Sequence, residues 1–204
     1  MNTQKTALYL SGLALCLTSA CSKHGQEPRA EAPLASESQA SGGMQMSESE
    51  QASDDRKRAE ASFVAAPGIK LTGDAKLKEV AGGVQIEVEV ENAPMGEKGI
   101  HIHQKGDCSD VRGKSMGEHY AGESPQHGLP TEPEHHLGDL GNIEIGQNGE
   151  GNLVIVVPGA TLESGSERSF VGRAIVVHES RDIGTGPSGE SGAPIACAVI
   201  KAED

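Results

Sequence analysis

The sequence predicts an all-β fold, a Greek-key β-sandwich or flattened barrel of immunoglobulin-like form with two long functional loops. Three observations carry that expectation. Val84, Ile86, Val88 and Val90 alternate with Gln85, Glu87, Glu89 and Glu91, the period-two pattern of a strand with one buried and one wet face. No segment sustains the 3.6-residue period that an amphipathic helix needs. Gly (27) and Pro (10) are plentiful in 204 residues, a composition that weakens helix interiors and supplies turns. A chain of this length holds one domain of roughly 100 to 150 residues with flanking segments.

The flanking segments come first. Residues 1–21 carry one charge, Lys5, then an apolar run from Ala7 to Leu17, then Thr18, Ser19 and Ala20 ahead of Cys21. This is the layout of a signal peptide, and the run is shorter than the roughly 20 residues of a membrane span. Cys21 behind small residues resembles a bacterial lipoprotein signal, in which that Cys is acylated; Thr18 stands where Leu is usual, so cleavage after Ala20 is the alternative. Such a lipid would be the chain's membrane contact. Residues 22–61 are Ser, Glu, Ala, Gln and Gly with few branched apolar side chains, the composition of a disordered tether. His24, Met44 and Met46 in it could serve as a weak copper lure. The folded domain is expected over 62–204.

Within the domain, a first strand over Ser62 to Gly68 is weakly marked, because it is short and contains Pro67. Ala75 to Val80 and the run from Val84 read as a hairpin about Ala81-Gly82-Gly83. Ile143 and Ile145, with Leu153, Ile155 and Val157, flank Gln147-Asn148-Gly149 as a second hairpin. Ala174 to Val177 and Ile195 to Ile200 supply the last apolar strands. The Gly-rich stretches 104–142 and 179–194 are too long for simple connections, and loops of that size in compact domains usually carry function.

Charge and aromatic content exclude one class of partner. Lys and Arg total 17 against 30 Asp and Glu, a formal charge of −13, and there are two Phe, two Tyr and no Trp. Neither the electrostatics nor the stacking surfaces for nucleic acid are present. Of four cysteines, Cys16 and Cys21 belong to the leader, which leaves Cys108 and Cys197. An exported pair suggests a disulfide; two free thiols is the alternative.

Six of the eight histidines form a pattern with metal-ligand chemistry. His101 and His103 alternate with Ile100 and Ile102, so a strand would place both imidazoles on one face. His119, His127, His136 and Asp139 follow in the long loop, and His178 ends the apolar strand from Ala174. The segments Gly99-Ile100-His101-Ile102-His103, Gly106-Asp107-Cys108, Gly117-Glu118-His119, His127-Gly128, His136-Leu137-Gly138-Asp139, Gly172 to His178 and Ile195-Ala196-Cys197 closely resemble copper/zinc superoxide dismutase, over residues 70–201. The resemblance implies an oxidoreductase that disproportionates superoxide by Cu(II)/Cu(I) cycling beside a His-bridged Zn. It implies copper ligands His101, His103, His119 and His178, and zinc ligands His119, His127, His136 and Asp139. Four imidazoles suit Cu(II), and three imidazoles with a carboxylate suit Zn(II). His119 would be the bridge and a proton donor in catalysis. His135 is the spare neighbour, since His136 keeps the spacing to Gly138 and Asp139. Asp182 matches a carboxylate that joins a copper His to a zinc His and fixes their tautomers. The resemblance leaves room for a homodimer.

Two departures bear on function. Where the family has an Arg that attracts and orients the anion, this chain has Pro194, which offers no charge and no N–H. Arg181, Lys114 and Lys105 are the cations that could replace it, in a domain with 11 basic and 22 acidic residues. His119-Tyr120-Ala121-Gly122 stands where an aromatic, Asn and Pro are common after the His, so the aromatic packing is expected and the turn differs. The alternative reading is a non-catalytic copper/zinc-binding module, a reservoir or delivery protein, and Pro194 is the feature that favours it.

Overall fold

The computed structural model describes residues 56–203. The expected leader with Cys21, and the expected tether as far as residue 55, lie outside the described residues. Nine strands follow in chain order: β1 (Arg58–Ala65), β2 (Thr72–Val80), β3 (Gly83–Glu91), β4 (Gly96–His103), β5 (Asp139–Ile145), β6 (Gly151–Pro158), β7 (Ala174–His178), β8 (Pro194–Val199) and β9 (Lys201–Ala202). Among the described residues there is no helix.

The strands pair antiparallel in the order β2-β3-β6-β5-β4-β7-β8-β1, and β1 also pairs β2, so eight strands close into a barrel with β9 as a short addition along β1. Closure removes exposed sheet edges. The chain passes from β3 to β4 across β6 and β5, and from β6 to β7 across β5 and β4, which is the Greek-key connectivity expected.

The alternation read in β3 is the burial pattern of the strand: Val84, Ile86, Val88 and Val90 are buried, while the acidic side chains between them face outward. Its hairpin with β2 runs from Thr72↔Glu91 to Val80↔Gly83. The second expected hairpin is different. β5 and β6 share only the Ile145↔Gly151 pair, and β6 instead lies along the whole of β3, from Gly83↔Pro158 to Val90↔Gly151. That register sets Leu153, Ile155 and Val157 opposite Val88, Ile86 and Val84, joining the inner faces of both strands in one core. β1 starts at Arg58, four residues before the expected boundary. Ala59 and Ala61 are its buried residues, and such small side chains give a weak apolar signal.

The barrel interior holds Ile86, Ile100, Ile102, Ile143, Ile175 and Ile195 among its fully buried side chains. The outer face of β4, β7 and β8 is also covered, because the long loop after β4 folds back over it. There Val111 and Met116 pack on Ala174, Val176 and Cys197. A disulfide between Cys108 and Cys197, with Cα atoms 5.7 Å apart across 89 residues, ties that loop to β8. The site is built under this flap.

Candidate metal centre

β4 turns Ile100 and Ile102 into the barrel and His101 and His103 to the covered outer face, where they stand opposite Val176 and Ala174 of β7. His178 ends β7 at a register shift against Pro194, the first residue of β8. A proline is tolerated there because a strand's first position can lack a ladder N–H. His119 reaches the same place from the loop, bridged to His103. One nitrogen each of His101, His103, His119 and His178 lies within 4.8 Å of the others, and all four residues are buried.

Backbone carbonyls set which nitrogens point inward. His103 Nδ1 is 2.7 Å from the Gly117 carbonyl and His178 Nδ1 is 3.0 Å from that of Gly192, so each donates there and turns the Nε2 lone pair inward. The two Nε2 atoms are 3.3 Å apart. His101 and His119 stack with centroids 3.9 Å apart.

A second group brings His101, His119, His127 and Asp139 within the same 4.8 Å limit. Asp139 Oδ2 accepts from the backbone N–H of His136 (2.8 Å) and Gly128 (3.1 Å), which aims Oδ1 at the imidazoles. Oδ1 lies 3.0 Å from His127 Nδ1, 3.3 Å from His119 Nδ1 and 3.5 Å from His136 Nδ1. His136 is buried beside this group, whereas His135 turns away and its Nδ1 meets the His136 carbonyl. Gly138 makes the loop possible, since a Cβ there would lie 2.5 Å from the Ile102 carbonyl oxygen.

Asp182 joins the two groups. Its Oδ2 is 2.7 Å from His101 Nε2, its Oδ1 is 3.1 Å from His127 Nε2, and the Gly184 N–H also donates to Oδ1 at 2.7 Å. The carboxylate thereby assigns the proton of each neutral ring to Nε2 and leaves Nδ1 as the lone pair. Gly189, at φ +64°, closes over it; a Cβ at that position would sit 1.8 Å from Asp182 Oδ1. Asn142 on β5 holds the backbone of Asp182 from both sides, accepting from its N–H at 2.7 Å and donating to its carbonyl at 2.9 Å. The sequence reading missed this residue. An amide at a strand position flanked by Gly141 and Ile143 is the signal that could have raised it, since Asn is depleted in strands.

The electrostatics favour positive charge beside the carboxylates and disfavour protons on the buried imidazoles away from them. Burial penalises the imidazolium and pulls His101 down to about 4, His103 to about 3 and His178 to about 2. Burial also opposes charge on His127, but the Asp139 and Asp182 carboxylates outweigh it and raise this group to about 9. Both carboxyls resist their own desolvation and stay well below the usual carboxylate range, held by the imidazoles and backbone N–H groups around them.

His101 Nδ1, His119 Nε2, His127 Nδ1 and His136 Nδ1 are buried without a hydrogen-bond partner. Buried polar atoms are almost always satisfied, and a lone pair directed at a metal ion accounts for each of these four. The donor set therefore fits one copper and one zinc. Tyr120, next to His119, packs edge-on to Phe170 and under the Arg173 guanidinium, 3.3 Å from its ring centre, so the expected aromatic packing is present.

Residues 71–200 match the family model for copper/zinc superoxide dismutase (SODC). The superoxide dismutase-like protein YojM of Bacillus subtilis is 32% identical over 137 residues, which cover 64% of this chain and 70% of that protein. The extracellular Cu-Zn superoxide dismutase of Drosophila melanogaster is 36% identical over 124 residues, covering 57% and 67%. Among solved structures, that of the clock protein EA4 superposes with a TM-score of 0.64 at 30% identity, over 72% of this chain and 94% of that one.

Proposed function

This chain belongs to the copper/zinc superoxide dismutase family, and from that premise we propose that it is an exported dismutase, converting two superoxide anions and two protons to oxygen and hydrogen peroxide. The observation that carries the reading is the placement of His119 between two donor groups joined a second time by Asp182. His101 Nδ1 with the Nε2 atoms of His103, His119 and His178 would hold copper. The Nδ1 atoms of His119, His127 and His136 with Asp139 Oδ1 would hold zinc. His101 is near both groups, but the all-imidazole set needs it, and His136 offers Asp139 a buried, unpartnered nitrogen.

When bound, copper supplies the one-electron chemistry and zinc a fixed positive charge beside His119. The protein does the rest. His103, His119 and His178 line a cavity of about 160 Å³ that admits a small anion. His119 Nε2 would hold either copper or, once released from it, a proton that it can deliver to the reduced oxygen species, the second proton coming from solvent. Asp182 and Asn142 keep His101 and His127 in the tautomers that leave their Nδ1 atoms free. A reservoir has little use for that linkage, which favours turnover over storage.

Export is part of the proposal: residues 1–21 act as the leader, with acylation at Cys21, and residues 22 onward tether the barrel. The Cys108–Cys197 disulfide suits an oxidising compartment. The test is superoxide decay with the mature chain loaded with both metals and with zinc alone. Catalysis is expected only when copper is present; equal rates for the two forms would sink the proposal.

A further inference from the structure

Pro194 leaves the copper-side cavity without a cation on β8, yet the cavity is not without one. Its wall contains Lys114 together with His103, His119, His178, Glu118 and Pro194. Resting on the dismutase reading above, we infer that Lys114 is the cation that attracts and positions the substrate anion in this protein. Three observations separate it from the other basic residues considered for that role. Arg181 is spent elsewhere, with Nε 3.1 Å from Glu97 Oε2, and it does not line the cavity. Lys105 does not line it either. Lys114 makes no ion pair among the described residues and stands on the cavity wall with His103 and His178.

The backbone supports the same assignment. Lys114 has φ +61°, the left-handed region that glycine and asparagine prefer, and its carbonyl accepts from the Gly117 N–H at 3.0 Å. A lysine kept in that conformation at a functional cavity is held there by the surrounding turn, whose Asp110 and Ser115 are hydrogen-bonded to each other's backbone. The turn follows Cys108, so the disulfide anchors the segment that carries the charge. Glu118, on the same wall, works against an anion, and it is the counterweight that Lys114 must exceed.

Azide is the probe, an inert small anion whose binding to the copper-loaded protein is read from the visible spectrum without turnover. Lys114→Gln should weaken azide binding about threefold or more at low ionic strength, the effect of one unit charge across several ångströms of partly aqueous surroundings, and the difference should shrink as salt is added. Lys114→Arg should restore most of the affinity, and Glu118→Gln should tighten it. Lys105→Gln and Arg181→Gln should change it little. Parent-like azide affinity in Lys114→Gln, with copper content intact, would overturn the inference while leaving the dismutase reading standing. A copper-loaded parent that binds no azide at all would remove the copper face itself, and the role of Lys114 with it.

Discussion

Replacing Asp182 by Asn preserves shape and removes charge, and it isolates what joins the two donor groups. In the native protein each carboxylate oxygen accepts from an imidazole, at 2.7 Å from His101 and 3.1 Å from His127. An amide has one acceptor, and that oxygen would have to serve either His101 or His127 together with the Gly184 N–H. The remaining imidazole would face an NH2 donor, and its tautomer would flip or its ring would turn. Each lost bond is a buried, charge-assisted one, worth about 1.5 to 3 kcal/mol. Partners of this type typically control metal affinity by about 10- to 100-fold. Because the amide can serve only one of the two rings, the metal whose imidazole loses its acceptor should be bound more weakly, whereas Asp182→Ala, which serves neither ring, should weaken both copper and zinc; chelator competition with each metal separately would measure this. Loss of one affinity with the other unchanged in Asp182→Ala would refute the coupling. Unchanged affinity for both would refute the role of Asp182 altogether.

Three further outcomes follow from the same geometry. His178→Ala should weaken copper binding and spare zinc, whereas His119→Ala should disturb both; metal content by elemental analysis reads this directly, and equal zinc loss in the two variants contradicts the assignment. Replacing Cys108 and Cys197 by Ser should cost at most about 4 to 5 kcal/mol on chain-entropy reasoning for so long a loop, measured by denaturant unfolding. In the metal-free protein, stability should peak near neutral pH. His101, His103 and His178 remain neutral in the fold, so the unfolded chain takes up more protons and stability falls as pH drops below about 6.5. His127 acts in the opposite sense: its raised value gives stability present below about 6.5 and lost as pH rises through about 9. Unfolding midpoints across pH, with and without metals, test both limbs.

What the sequence made legible was short-range. The alternation in β3 and the His-Ile-His spacing of β4 state which side chains face inward, because period two is a local property of a strand. The pairing of β6 with β3 was not legible in the same way. The Gln147-Asn148-Gly149 turn looks like a simple hairpin, and only barrel closure decides that β6 pairs its full length with β3. β1 escaped notice from Arg58 to Ala61 because alanine fills its buried positions. At the site, the clustered imidazoles and Asp139 declared themselves by residue type and spacing, but Asn142 acts through the backbone of Asp182, 40 residues away. Lys114 likewise stood equal to Lys105 and Arg181 until folding placed it alone of the three on the cavity wall.

The most direct measurement of the central claim is the rate of superoxide decay by the copper- and zinc-loaded mature chain across ionic strength. The account predicts catalysis approaching the diffusional range of about 10⁸ to 10⁹ M⁻¹s⁻¹ and a rate that declines with added salt, as one working cation on the cavity wall requires. A fully metallated protein whose superoxide decay equals that of buffer alone would contradict it.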